Sequence, residues 1–331
     1  MKIAIIVVRK KWNNAPYFLI EGIKKGLREL IFDNFDFKNI DFTFIKFSIH
    51  TPDKFYINPE TVKYYDIILI PSWIGERILN CNLKELKEKT KAKICLYTGQ
   101  SLYYGKPFEN DFVKKEVYQG DLSNYQWNNF LAIDKFFVVK KMFPFEKEIE
   151  IGCGQFDEFI SIEKSKYNGL VLDFCKQGWD EFIWEDFNFA LPEIREKCDI
   201  DIIQLGTYPF KIKNCGICGD FTIFYKKLCK LYSKILIWVS MNESFGYSIL
   251  ENKYAGNMIL VHEKIDFPNF HLKSGNIISW NKNNIANKIK NYLESIKNNP
   301  NEIQEDFIKT SPELVSWKKT VLRLIDELQK F

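Results

Sequence analysis

The apolar positions of the chain fall into short dense runs separated by stretches of helical spacing. "KIAIIVV" (2–8), "FTFIKFS" (42–48), "DIILIPS" (66–72), "AKICLYT" (92–98) and "DKFFVVK" (134–140) are rich in Ile, Val and Phe. That is the composition of strands buried on both faces. Between them, "APYFLIEGIKKGLRELI" (15–31) repeats apolar residues at helical spacing, and "NLKELKEKTK" (82–91) reads as a charged helix. A polar, aromatic stretch with helical pieces precedes 134–140, and "EIEIGCGQF" (148–156) follows it. Strands separated by helix-length segments predict a parallel sheet wound by right-handed crossovers.

The pattern then restarts. "YNGLVLDFC" (167–175) is a strand, "WDEFIWEDFNFALPEIREK" (179–197) a helix interrupted near Pro192, and "DIDIIQLG" (199–206) a strand. After the turn-rich "TYPFKIKNCGICGD" come helix "FTIFYKKLCKLYSK" (221–234) and strand "ILIWVS" (235–240). Strands "NMILVHE" (257–263) and "NIISW" (276–280), helix "NIANKIKNYLESIK" (284–297) and a last helix within 312–330 complete the series. The prediction is an α/β protein of two doubly wound units joined near 160–167. Its length of 331 residues agrees, since one core rarely serves more than about 250–300.

Composition narrows the possible functions. With 46% apolar and 27% charged residues the chain is globular, and a net charge of +4 is too small to argue for nucleic acid. An anionic substrate or a membrane surface stays open. The start "MKIAIIVV" meets "RKKWNN" after a short apolar run, so it reads as a first buried strand rather than a signal peptide. No run approaches the roughly 18 apolar residues of a membrane span. The eight cysteines have no framework spacing and are expected to be reduced, mostly core thiols. "CGICG" sets Cys215 and Cys218 at C-x-x-C spacing, but no second ligand pair accompanies it, so strand-end thiols are favoured over zinc.

The most informative stretch is "NESFGYSILE" (242–251), a short loop after an apolar strand that opens a helix. The first amides of a helix lack intrahelical partners and suit a phosphate, and Gly246 lets that phosphate approach the backbone. Glu243, ahead of the helix, can project toward a hydroxylated group. Glu251 is too far along to cap those amides and could accept hydrogen bonds from a vicinal diol such as a ribose. A diphosphate lying between a sugar and a ribose accounts for both acids.

"SMNESFGYSILENKYAGNMILV" resembles the signature of the group-1 family of retaining, nucleotide-sugar-dependent glycosyltransferases of GT-B fold. The matching positions are Glu243, Phe245, Gly246, Leu250, Glu251, Ala255 and Gly256, in a Glu-x7-Glu pattern with a small residue and Gly before the next strand. Weaker echoes are "GQFDEFI" (154–160) for the domain-crossing segment, "KQGWDEF" (176–182) for a Lys-Gly region and "SWKKTV" (316–321) for the start of the final helix. The resemblance implies two Rossmann-like domains facing a cleft. An acceptor domain would span 1–163 and a nucleotide-sugar domain 164–310, with a C-terminal helix at 311–331 packing back toward the first domain.

The resemblance also implies roles. Glu243 would contact the transferred sugar and Lys176 the phosphate, the two catalytic candidates. Phe245, Gly246, Tyr247, Ser248, Glu251, Ile217 and Gly206 would bind the donor, with Ile217 in the 215–219 loop meeting the base. Lys176 reads equally well as a solvated loop lysine, because the family's Arg-x4-Lys-Gly is not intact: position 172 is Leu and 177 is Gln. The family's Gly-Gly loop after the first strand is replaced by "RKKWNNAP" (9–16), where Asn13 and Asn14 either bind acceptor or phosphate or simply make a turn. The usual His after a central strand is replaced by "LYTGQSLYYG" (96–105), which leaves Gln100 as an acceptor candidate. His262, on an apolar strand, reads as structural.

The implied activity is hexosyl transfer from a nucleotide diphosphate sugar, a UDP- or GDP-sugar, to a glycan or lipid-linked acceptor. It would proceed with retention, with no metal and no other cofactor, in polysaccharide biosynthesis. The implied location is cytoplasmic, with room for peripheral contact at the inner membrane face. A nucleotide-sugar epimerase or hydrolase on the same frame, and a nucleotide-sugar-binding homologue without activity, are the alternatives.

Overall fold

The computed structural model describes residues 1–7, 15–46, 56–71, 80–98, 123–138, 146–154, 169–173, 181–205, 216–218, 233–238, 247–264, 277–299, 301–303, 305–306 and 316–331. It divides into two compact units, Met1–Gly154 with Ser316–Phe331, and Gln155–Val315. The sequence places these divisions at 163/164 and 310/311.

The first unit holds strands β1 (Lys2–Val7), β2 (Asp41–Lys46), β3 (Ile67–Pro71), β4 (Lys93–Thr98), β5 (Lys135–Val138) and β6 (Glu148–Glu150). All pair in parallel, in the order β2-β1-β3-β4-β5-β6. Helices α1 (Ala15–Phe32), α2 (Pro59–Val62), α3 (Leu83–Thr90) and α4 (Asn124–Leu131) lie between the strands in sequence. Every residue of β3 is buried, as a strand covered on both faces requires. The run 148–156 yields a strand only over Glu148–Glu150; Gly152 has φ +80, a left-handed conformation that ends the extended backbone.

The second unit carries β7 (Gly169–Asp173), α5 (Glu181–Lys197), β8 (Asp201–Leu205), β9 (Gly216–Cys218), β10 (Ile235–Trp238), α6 (Tyr247–Tyr254), β11 (Met258–His262), β12 (Ile277–Trp280) and α7 (Ile285–Ser295). Its sheet is again parallel, in the order β12-β11-β10-β7-β8-β9. Counted within the unit this is 6-5-4-1-2-3, the Rossmann order. Two elements differ from the sequence reading. The helix at 181–197 is not interrupted at Pro192. A proline forfeits one intrahelical bond, whereas Phe187, Ala190, Leu191 and Ile194 on either side of it are buried in the core of the unit. The turn-rich 215–219 stretch contributes an edge strand, β9, in which Ile217 pairs with Gln204. Three residues are too few for apolar alternation to reveal. The expected helix 221–234 lies outside the described residues except for its last two positions, Ser233 and Lys234.

The last helix, α8 (Trp317–Leu328), belongs to the first unit although more than 160 residues separate it from that unit's other members. Its buried positions Trp317, Thr320, Val321, Leu324, Ile325 and Leu328 recur every three or four residues, so one stripe of the helix is committed to packing. Ser316 caps it, accepting from the Lys319 amide at 3.3 Å. α1 receives this stripe on glycines. A Cβ built on Gly22 would lie 2.1 Å from the Trp317 indole, and one on Gly26 2.6 Å from the Trp317 carbonyl oxygen and the Val321 side chain. Gly154 is as crowded, 2.4 Å from the Trp317 amide nitrogen. Lys318 and Asp33 form an ion pair at the edge of the same contact.

Glycine to alanine in an open helix position gains about 1 kcal/mol of propensity. At Gly26 the clash with backbone atoms dominates, because overpacking costs about 1–3 kcal/mol. Gly26→Ala is therefore expected to lower stability by about 1–2 kcal/mol, measured as a drop in the urea midpoint. A midpoint equal to or above that of the parent would show that α8 does not press on α1.

Candidate functional site

In an open parallel sheet, ligands bind outside the carboxyl ends of the strands, where the strand order reverses. In the second unit that reversal falls between β7 and β10, which pair directly, Ile235 to Leu170 and Ile237 to Leu172. β7 ends at Asp173 and β10 at Trp238, so the segments carrying Lys176 and Glu243 leave from neighbouring strands at the same edge of the sheet. The sequence separates them by more than sixty residues; the topology joins their starting points. β8, on the far side of β7, ends at Leu205, one residue before Gly206.

Lys176, Gly206, Glu243, Phe245 and Gly246 themselves lie outside the described residues. So do the acceptor candidates Asn13, Asn14 and Gln100. Asn13 and Asn14 belong to the connection from β1 to α1, and Gln100 to the segment leaving β4. Both segments start at the carboxyl edge of the first sheet, with β3 between their strands. Tyr247 and Ser248 open α6, and Ile217 sits on the edge strand β9.

α6 is the best-defined part of the site. It connects β10 to β11, which pair with each other, and it ends in a tight turn. The Gly256 amide donates to the Lys253 carbonyl at 2.8 Å, and the Asn257 amide to the Asn252 carbonyl at 2.8 Å. Gly256 has φ +72. This pair of bonds, with a left-handed residue just past the helix, is a Schellman termination, and it favours glycine at that position. Ala255 beside it is fully buried. The Ala255-Gly256 pair is therefore a helix stop. A side-chain bond reinforces the stop: Asn257 Nδ2 donates to Asn252 Oδ1 at 2.6 Å, with both residues fully buried.

Glu251 is 3% exposed, turned into the unit and away from bulk water. A buried carboxylate is costly unless hydrogen-bonded, so this orientation has to be offset by polar partners. Two residues on, Lys253 is 2% exposed, and burial pulls its ammonium down from 10.5 to about 8 against the opposing pull of the Asp306 carboxylate. Asn252, Lys253 and Glu251 make the middle of a short helix unusually polar for its degree of burial. Such a row is an expensive arrangement for stability alone.

His262 ends β11 with its side chain buried. Its Nδ1 accepts from the Lys264 amide at 3.3 Å, which leaves the proton on Nε2 to be donated to Asp186 Oδ2 at 3.0 Å. Trp280 meets the imidazole edge-on, ring centroids 4.7 Å apart, and Lys282 lies 3.5 Å from the other Asp186 oxygen. The ring is saturated with partners, in line with the structural reading of this histidine. What the sequence missed is Asp186, which ties α5 to the carboxyl end of β11. No local signal announces a partner 76 residues away.

No family model matches the chain, and no curated protein sequence does. Solved structures match over its whole length. A glycosyltransferase from Rickettsia africae ESF-5 superposes with a TM-score of 0.60 at 15% identity, covering 99% of this chain and 98% of that one. Anabaena HepE, crystallised with UDP and glucose, gives 0.59 at 11% identity with both chains fully covered. The UDP-GlcNAc 2-epimerase of Methanocaldococcus jannaschii gives 0.57 at 11%, again over all of both chains. The chain thus has the two-domain Rossmann-like fold of GT-B glycosyltransferases and of this epimerase. Among the described residues no helix is long and apolar enough to cross a membrane.

Lys253 supplies a test of the polar row. Its pKa in the folded state is below the unfolded value, so the unfolded chain binds more protons between about pH 8 and 10.5. The cost of burying it is fully present below pH 8 and is relieved as pH rises through that window. Lys253→Met is expected to stabilise the protein at pH 7 by on the order of 1–3 kcal/mol, and by much less at pH 10. Equal stability differences at both pH values would contradict a buried, strained ammonium.

Proposed function

We propose that the chain is a glycosyltransferase that moves a hexosyl group from a nucleotide diphosphate sugar to a glycan or lipid-linked acceptor, with retention at the anomeric carbon. The observation that carries this reading is the pairing of β7 with β10. It starts the Lys176 and Glu243 segments side by side at the carboxyl edge of a Rossmann-ordered sheet, with α6 following directly. An N-terminal helix end beside that edge suits a diphosphate, because its amides lack intrahelical partners and carry partial positive charge. The Glu-x7-Glu spacing then sets Glu243 before the helix for the sugar hydroxyls and Glu251 inside it for the ribose diol.

In this mechanism negative charge grows on the departing diphosphate. The α6 amides and Lys176 stabilise that charge, and their worth rises wherever water is excluded from the site. The leaving phosphate accepts the proton of the incoming hydroxyl, so no separate nucleophile or metal is invoked. Gly206, Ile217, Phe245, Gly246, Tyr247 and Ser248 complete the donor side, while Asn13, Asn14 and Gln100 face the acceptor. Use of a lipid-linked acceptor entails peripheral contact with a membrane.

Glu243→Ala is expected to reduce transfer by at least about 100-fold, with nucleotide affinity by calorimetry within about 2-fold of the parent. Near-normal turnover of the purified variant would remove Glu243 from the chemistry. Glu251→Ala is expected instead to weaken nucleotide binding by about 10-fold or more, the loss of a charged hydrogen-bonding partner. Unchanged affinity would remove the ribose assignment.

A second reading is favoured by the full-length likeness to the Methanocaldococcus jannaschii UDP-GlcNAc 2-epimerase. Incubation with a nucleotide sugar alone separates the two. Conversion of the donor without any acceptor supports an epimerase or hydrolase, whereas a transferase leaves it largely intact. Saturable nucleotide binding with no turnover across a broad acceptor panel would indicate a binding protein.

A further inference from the structure

The first unit has a face that sugar transfer does not use. A groove of about 650 Å³ opens between α1 and β2, with Leu27 and Ile31 on one wall and Phe37, Ile40, Phe42 and Phe44 on the other. β2 is the edge strand of its sheet, and its middle residues Phe42–Ile45 are only half-buried, whereas every residue of β3 is buried. The aromatic wall is ordered: Phe37 meets Phe35 edge-on at 5.2 Å and Phe42 at 6.3 Å. Beside the groove, at the end of α1, Ile31 is 64% exposed and Phe32 87% exposed. Contiguous apolar surface left open in this way marks an interaction site.

The charges around this surface are segregated. Arg28, three residues before Ile31, donates its Nε to the Lys24 carbonyl at 3.3 Å and forms no ion pair among the described residues. Lys24 is already held by Glu21 at 2.7 Å, so the uncompensated cation is Arg28 alone. Beyond the end of α1, Asp33 is taken up by Lys318, but Asp36 and Asp41 are exposed and form no ion pair among the described residues. Asp36 accepts from the Lys38 amide at 2.9 Å, which orients its carboxylate and leaves the charge unmatched. The acids around Ile31 and Phe32 disfavour an anionic surface as the occupant. A two-fold interface, by contrast, asks one patch to complement itself. This patch holds both halves of each match: open apolar side chains beside an apolar groove, and a cation before Ile31 with acids after Phe32. Turning a second copy through half a revolution about an axis near Phe32 lays the open side chains of each copy on the groove of the other, and Arg28 of each opposite the acids of the other.

We propose that this face joins two copies of the chain in a two-fold dimer, with Ile31 and Phe32 of each seated in the α1–β2 groove of the other and Arg28 of each meeting Asp36 of the other. The inference goes beyond the functional reading and does not depend on the donor site. The groove is bounded by Ile40, at the amino end of β2, so the dimer leaves the carboxyl edge of the first sheet open to substrate.

Sedimentation equilibrium of the full chain is the test. A monomer–dimer equilibrium with Kd of about 1–100 µM is expected for a face of this size. The double variant Ile31→Ser, Phe32→Ser should raise Kd at least about 10-fold, and Arg28→Asp or Asp36→Arg alone about 5-fold or more. Combining Arg28→Asp with Asp36→Arg should return Kd to within about 3-fold of the parent, because the two-fold pairs each position with the other. These side chains are exposed, so melting temperatures of the diluted monomers should hold. A parent that stays monomeric to about 200 µM, whether or not it pellets with lipid vesicles, would overturn the proposal. So would a dimer that the Ile31→Ser, Phe32→Ser variant leaves undiminished, or a charge exchange that recovers nothing. Calorimetric nucleotide binding by the same preparations reports separately on the second unit, so failure of one reading is not mistaken for failure of the other.

Discussion

The hydrogen-bonded pairing of β7 with β10 is the constraint on which the second unit depends. β7 is the first strand of its sheet in sequence and β10 the fourth, and between them the direction of winding reverses. Helical crossovers run to opposite sides of that line, so no connection closes the sheet edge there. Two loops from distant parts of the sequence must then start beside one another. A change that slipped β10 by one residue against β7 would exchange the faces on which its four buried residues pack, forcing Trp238 and its neighbours into sites shaped for other side chains, which makes the register costly to lose.

The same economy of placement governs α6. Its far end is fixed by the two crossed backbone bonds at Gly256 and Asn257 and by the Asn252–Asn257 side-chain bond. β10 and β11, which α6 connects, lie side by side. The turn that holds the far end of α6, thirteen residues after Glu243, fixes which side of this two-turn helix faces inward, and Glu251 lies on that side. The glycine late in the pattern serves geometry, while recognition is the role we propose for the acids. Reading every position of such a motif as a ligand contact would confuse the two.

In the first unit, α8 and α1 depend on an absence of side chains. Gly22, Gly26 and Gly154 make a flat bed for Trp317, and the large indole supplies the contact area that the glycines give up. This joins the chain's final helix to its first one. The arrangement leaves the other side of α1 to line the groove against β2.

Much of this architecture is legible in the sequence because its signals are local. Dense apolar runs such as "DIILIPS" and "NMILVHE" mark buried parallel strands, and the alternation with helical segments predicts two doubly wound units. The Glu243–Glu251 spacing after a strand identifies the candidate donor site, since a helix start has its own chemistry. Pro192 misled because propensity counts one lost bond, while burial on both sides of it keeps the helix whole. β9 was hidden because three residues carry no period. Strand order, the meeting of β7 with β10, the Asp186–His262 bond and the seating of Trp317 on glycines were decided only by tertiary structure. The last three join residues 65 or more positions apart, and apolar patterning fixes which face of an element is buried but not what it is buried against.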